Sequence, residues 1–333
     1  MAKVRLAFIG CGGIAQSHLE AGLKGFPDVE FVGWCDQSET AAAARREQVG
    51  GQGKVYAEAG KMLVESRPDA VFIMVPPFAH GGPEAEVIKH HLPFLVEKPV
   101  VLDTVIGRTI LRGVKRNDLL TSVGYMNRYR RSVQRVRELV ANQAPVIMHG
   151  GWLGGAPGSW DHWWVRKHLS GGQFLEQTTH DTDLARYLFG DVAKVYAVAV
   201  RDRQKHTPFF TIEDASMVQL TFRNGAAANL YSSVSTPVDT HGGISLTLWT
   251  DGMQAEFSGW EHAVKVTLLG GEEIRIPGED KIFAVEDRAF VDSVKAGRNK
   301  GILCTYEDGL KTAAVACAAN ESMETGQAVV PVI

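Results

Sequence analysis

A chain of 333 residues with a formal net charge of −3 and 22% charged residues exceeds the usual length of one domain, so two domains and a sizeable core are expected. This charge balance and a pI near 6.4 supply no basic field for nucleic acid or for an anionic membrane surface, which excludes both as expected partners. The cysteines, Cys11, Cys35, Cys304 and Cys317, lack Cys-x-x-Cys or zinc spacing and read as free thiols of a reducing compartment, with no metal site.

The first apolar run, Leu6 to Ile9, is too short for a secretory core and reads as a buried strand. No apolar span approaches membrane length, and the expected address is the cytoplasm. Val4–Ile9 runs into Gly10-Cys11-Gly12-Gly13-Ile14-Ala15, and from Ile14 to Leu23 the apolar residues recur at helical spacing. In a strand, loop and helix of this kind, Gly10, Gly12 and Gly13 let the backbone approach a pyrophosphate. Ile14 and Ala15 then open a helix whose N-terminus favours the pyrophosphate charge. The second strand, Phe31–Cys35, ends at Asp36, where a carboxylate can accept hydrogen bonds from both ribose hydroxyls of an adenosine. Its other reading is as a cap for a helix over Thr40–Val49, and the two roles are compatible.

Further βα alternation follows: Lys54–Tyr56, a helix to Ser66, Ala70–Val75, a helix over Pro83–His91, Phe94–Val96, a helix over Thr104–Asn117 and Leu119–Val123. These elements define a first domain over residues 1–124. The fourth strand ends at Pro76-Pro77-Phe78-Ala79-His80, so Pro76 and His80 are either loop residues or walls of a cofactor cleft. The fifth stops at Glu97-Lys98-Pro99. In isolation these are solvated loop charges; in an open α/β sheet, ligands bind beyond the carboxyl ends of the strands, and Glu97 and Lys98 then face a bound dinucleotide.

The period changes in the second domain, residues 125–333. A basic amphipathic helix over Ser132–Val140 presents a solvated arginine face. Alternating segments joined at Asn224-Gly225, Asp251-Gly252 and Gly270-Gly271 predict antiparallel strands between Val146 and Ile276, with helices on one side. Helices over Phe283–Lys295 and Tyr306–Glu324 close the chain, with packing against the first domain open to them; the second has a Thr305 cap and a Gly326 stop. Between these parts, Ser170 to Asp183 reads as a helix continuing to Leu188. On it Glu176, His180 and Asp183 share one face, four and three residues apart. A helical histidine is often structural; one flanked by two carboxylates beside Gly171-Gly172 is also a candidate proton acceptor.

Gly10 to Ala15, Asp36, Pro76 to His80, Glu97-Lys98-Pro99, and Gly171-Gly172 with Glu176 and His180, taken in that order, resemble the family of glucose-fructose oxidoreductase, inositol dehydrogenase and their relatives across essentially the whole chain. The resemblance implies an α/β protein: an N-terminal Rossmann domain with a doubly wound parallel sheet, plus a C-terminal α/β domain with a large, mostly antiparallel open sheet. That open sheet serves oligomer contacts in the family, which implies a homodimer or homotetramer. The implied activity is hydride transfer between NAD, or alternatively NADP, and a sugar, cyclitol or related polyol. The implied catalytic residues are Lys98, stabilising an alkoxide, and His180, taking the hydroxyl proton, with Glu176 beside it; Pro99 is implied to follow a cis peptide. Family members of the inositol dehydrogenase type carry aspartate where this chain has Glu176. Trp160, Trp163, Trp164, Arg166 and Lys167 resemble a substrate-side loop, which makes Trp164 and Arg166, with Lys98, Asp183 and His180, the substrate-contact set; the tryptophans read equally as core anchors. Asp36 implies preference for NAD over NADP. An NAD-dependent glycosidase working by transient oxidation and elimination, and a non-catalytic dinucleotide-binding regulator, are the alternative functions.

Overall fold

Leu6, Ala7 and Phe8 are wholly buried in the first strand, β1 (Val4–Ile9), because this strand is covered on both faces. The structure, a computed structural model, describes residues 3–155, 162–201, 208–236 and 243–333. The chain forms two units: the first is Met1–Val101, Val105–Met126 and Lys281–Gly309, the second Leu102–Thr104, Asn127–Asp280 and Leu310–Ile333.

In the first unit β1 is followed by α1 (Gly13–Ala21), β2 (Val29–Cys35), α2 (Glu39–Gln48), β3 (Lys54–Tyr56), α3 (Ala59–Ser66), β4 (Ala70–Ile73), α4 (Gly82–Lys89), β5 (Phe94–Val96), α5 (Thr104–Arg116) and β6 (Thr121–Val123). The strands lie parallel in the order β3-β2-β1-β4-β5-β6, the doubly wound arrangement. Strand order reverses between β1 and β4, and ligands of such sheets bind at that switch point. Phe8 anchors the core, stacked on Trp34 at 4.8 Å and Phe72 at 5.0 Å between ring centroids.

The second unit runs through α6 (Arg131–Val140), β7 (Pro145–Leu153), α7 (Lys167–Ser170), α8 (Gln173–Glu176), α9 (Thr179–Phe189), β8 (Val192–Val200), β9 (Ala215–Phe222), β10 (Ala227–Ser233), β11 (Gly243–Thr250), β12 (Met253–Ser258), β13 (Ala263–Leu268) and β14 (Glu273–Ile276). Among the described residues these strands form one eight-stranded sheet in the order β14-β13-β12-β11-β7-β10-β9-β8. All three expected hairpins form, and the one departure from antiparallel pairing is β7 beside β10. Alternation sends Val195, Val218, Leu220 and Leu230 into a core shared with α6 and α9. The opposite face leaves Ile147, Tyr196, Val198, Val200 and Met217 exposed.

Two helices follow. α10 (Ile282–Ala296) belongs to the first unit, where Phe290 and Val291 join the Phe8 core and Arg288 and Lys295 bind Asp28 at 2.8 and 2.6 Å. α11 (Tyr306–Thr325) has its first four residues in the first unit and the remainder in the second. Among the described residues no helix is long and apolar enough to cross a membrane.

The expected single helix through Glu176 and His180 does not form. α8 stops at Glu176 and α9 starts at Thr179. Thr178 N–H reaches back five residues to Gln173 O (3.3 Å), and His180 N–H only three, to Gln177 O (3.2 Å). A wide turn followed by a tight one shifts the helical register, so the shared-face argument for Glu176 and His180 fails.

Candidate functional site

The carboxyl ends of β1, β2, β4 and β5 carry most residues expected at a cofactor. Gly10 takes φ +90°, and a Cβ there would overlap the Met74 carbonyl oxygen, so only glycine lets β1 leave the sheet beside β4. Gly12 and Gly13 are different: a Cβ on either meets nothing within 4 Å. They border open space at the start of α1, a helix with no side-chain cap and no acid in its first turn, so its leading N–H groups are left to an anion. Ala15 is buried behind them and Ile14 half-buried.

Asp36 is fixed by the backbone around it. Its Oδ2 accepts from Cys11 N (2.7 Å) and its Oδ1 from Ser38 N (2.8 Å). The cap of α2 is Ser38, which accepts from Ala41 N, so Asp36 is released from that role. Each Asp36 oxygen retains acceptor capacity suited to a diol. Burial, then Asp36, pushes the Cys11 thiol up to about 12, partly offset by Arg45. Arg45, a turn and a half into α2, is thus close to the glycine loop, and its Nε and Nη1 are buried with no partner among the described residues. Chain distance from Asp36 concealed this arginine; counting residues around the α2 helix is the signal that would have found it.

At the end of β4, His80 Nδ1 lies 2.6 Å from Glu84 Oε1, and Glu84 Oε2 accepts from Gly81 N at 2.6 Å. His80 is buried, and its Nε2 has no partner among the described residues. Pro76 closes the short turn that follows, its carbonyl accepting from Ala79 N. At the end of β5 the Lys98–Pro99 peptide is cis. Glu97 is buried; its Oε2 accepts from Lys98 N at 3.1 Å, and its Oε1 lies 3.1 Å from His18 Nε2.

In the second unit, Glu176 and His180 are both buried, on α8 and α9 respectively. Asp181, next to His180, is fully buried, and burial raises its carboxyl to about 7. Asp183 is engaged on both oxygens by Arg128, at 2.7 and 2.6 Å, and also accepts from Thr312 Oγ1 at 2.9 Å. Trp164 Nε1 donates to Gln173 Oε1 (3.0 Å), and its ring stacks on Trp163. Arg166 lies over the Phe209 ring at 4.5 Å. Lys167 Nζ is tied to Glu213 and Asn320, both at 2.7 Å. Trp160 lies outside the described residues.

A nicotinamide dinucleotide fits the first unit on these observations: open space at Gly12 and Gly13, free helix N–H groups, and an oriented carboxylate at Asp36. A family model described as an oxidoreductase family with an NAD-binding Rossmann fold matches residues 4–125, and one described as a GFO/IDH/MocA C-terminal domain matches residues 133–256. The chain is 26% identical over 227 residues to myo-inositol 2-dehydrogenase of Thermotoga maritima, covering 67% of this chain and 66% of that one. It is 26% identical over 243 residues to scyllo-inositol 2-dehydrogenase (NAD(+)) of Bacillus subtilis, covering 71% and 68%. The match thus spans about two thirds of the length of each relative. Among solved structures, an oxidoreductase from Agrobacterium radiobacter in complex with NAD+, L-tartaric acid and magnesium superposes with a TM-score of 0.85 at 20% identity, covering 99% of this chain and 98% of that one.

Proposed function

The chain belongs to the Gfo/Idh/MocA family of NAD-binding oxidoreductases, and from that premise we propose that it transfers hydride between NAD and a secondary alcohol or ketone of a sugar, cyclitol or related polyol. The observation that carries this reading is the position of Lys98 just past the end of β5, at the carboxyl edge of the parallel sheet, where β1 and β2 also deliver the glycine loop and Asp36. The names of the two inositol dehydrogenase relatives favour a cyclitol or sugar.

When bound, NAD supplies the hydride acceptor. Gly10, Gly12 and Gly13 with the N-terminus of α1 hold the pyrophosphate, and Asp36 holds the adenosine ribose. The Lys98 ammonium stabilises negative charge as it develops on the substrate oxygen, and neutral His180 accepts the hydroxyl proton. Glu176, on the neighbouring helix α8, keeps the proposed role of positioning carboxylate for His180 on α9. Trp164 and Arg166 contribute the substrate-side surface. Asp183, whose oxygens are occupied, is left out of the substrate set. The exposed apolar residues of β8 and β9 suit contact with a second copy of the chain, in a homodimer or homotetramer.

A panel of sugars, sugar acids and cyclitols incubated with NAD or NADP, read as absorbance of the reduced cofactor, tests the proposal. Reduction with at least one polyol is expected. Release of an aglycone without net reduced cofactor would replace this reading with the glycosidase one.

A further inference from the structure

α1, β5 and α10 are connected by three side chains that the proposed chemistry does not use. His18, on α1, is 0% exposed, and each ring nitrogen faces a carboxylate. Nδ1 lies 2.7 Å from Asp287 Oδ1 on α10, and Nε2 lies 3.1 Å from Glu97 Oε1 just past β5. The doubly protonated ring donates to both carboxylates at once. Burial opposes that charge, yet Asp287 and then Glu97 hold the His18 pKa well above its usual value. Glu286, also wholly buried, brings a third carboxylate: one oxygen from it, one from Glu97 and a His18 ring nitrogen lie within 4.8 Å of one another. A metal ion there would need a lone pair from His18, and both nitrogens are committed to carboxylates.

Glu97 is held on every side. Its Oε1 faces His18, its Oε2 accepts from the amide of Lys98, its own amide donates to Ile73 O at 3.0 Å, and Gly124 packs so close to the carboxylate that a Cβ would overlap it. The residue whose backbone this carboxylate fixes is Lys98. We propose that His18 is a positioning residue for Lys98: through Glu97 it sets the turn that carries the ammonium, and through Asp287 it ties that turn to α10. The inference rests on the reading of Lys98 as the group that stabilises the substrate oxygen.

The test uses the full chain as wild type, His18→Gln, Glu97→Gln and the double variant. Glutamine at position 18 has a single donor nitrogen in place of two ring nitrogens that face different carboxylates, and its Oε1 only accepts, so one end of the connection is weakened without leaving both acids bare. Three quantities are read: the NAD Kd by fluorescence titration, kcat on the best substrate of the panel, and the pH profile of Lys98 acetylation by acetic anhydride, followed by mass spectrometry of its peptide. For His18→Gln the expected result is an NAD Kd within about threefold of wild type, a kcat loss on the order of 10- to 100-fold, and a displaced Lys98 profile. The double variant should lose no more than the worse single one, because both act through the same connection. An unmoved Lys98 profile with losses that multiply would reduce His18 to a packing residue and overturn the proposal. Should His18→Gln fail to fold, Asp287→Asn carries the same measurement from the outer end, with a smaller displacement of the Lys98 profile expected and none overturning it. The acetylation arm needs no substrate, so a wild-type protein that oxidises nothing in the panel refutes the reading of its function and leaves the positioning result standing by itself.

Discussion

Arg128 grips Asp183 through two hydrogen bonds, Nε to Oδ2 at 2.7 Å and Nη2 to Oδ1 at 2.6 Å, with the two side chains 2% and 1% exposed. Thr312 donates to the same carboxylate, and Arg186 donates to Thr312 at 2.8 Å. Removing one partner of a buried pair strands the other charge, which costs about 3–5 kcal/mol. Asp183→Ala should therefore lower stability by that order in a denaturant melt. A variant with wild-type stability and lost turnover would return Asp183 to the substrate contacts.

In its proposed role at the adenosine ribose, Asp36 carries a charge that repels a 2′-phosphate. NAD should be preferred over NADP in kcat/KM. Because Arg45 lies close to the same loop, Asp36→Ser should do more than weaken NAD: with the acid gone, that preference should fall by about tenfold or more, or about 1.4 kcal/mol. An undiminished preference in the variant would assign cofactor choice to other residues.

In the role proposed for Lys98, its charge matters most when the substrate oxygen is most negative. Lys98→Ala should lower kcat on the order of 10²-fold or more and leave the NAD Kd nearly unchanged. His180→Ala should instead erase the rise of oxidation rate with pH, since only neutral imidazole accepts a proton. If that rise survives in His180→Ala, another group is the base.

Asp181 gives a pH signature of its own. Its folded-state pKa is raised by burial to about 7, above the unfolded carboxyl value, so the neutral acid favours folding and the charged one opposes it. This contribution is fully present below the unfolded value and is lost as pH climbs to about 7. Asp181→Asn, which cannot ionise, should thus gain stability relative to wild type across that window and then hold a constant lead. Thermal melts of both proteins from pH 4 to 9, with a flat difference throughout, would contradict it.

Local signals carried much of this structure. β3 and β5 occupy the residues that apolar runs and flanking glycines or prolines predict, and the hairpins at Asn224-Gly225, Asp251-Gly252 and Gly270-Gly271 follow from turn chemistry. Features made by partners far along the chain were not legible. Nothing in Gln177-Thr178 signals a break, since neither residue is a glycine or proline; the register shift exists only in the backbone hydrogen bonds. Asp183 read as a site residue because its partner, Arg128, sits 55 positions away. His18 lies in an ordinary helical stretch, and its importance appears only when Glu97 and Asp287, 79 and 269 positions away, close around it. The parallel pairing of β7 with β10 has the same origin, because neighbours in sequence favour antiparallel contact.

The first unit is discontinuous, and this governs its birth on the ribosome. Its sheet is fully synthesised at Val123, yet Phe290, Val291 and Asp287 arrive only with α10, after the whole eight-stranded sheet has been made. At roughly 5–20 residues per second the half-built unit waits on the order of ten seconds with Phe72 and His18 lacking their α10 neighbours. Nascent chains arrested shortly before Ile282 should accordingly be cut by protease within residues 4–125 much faster than chains arrested well past Gly309. Equal resistance at both lengths would mean that the parallel sheet is stable before α10 exists.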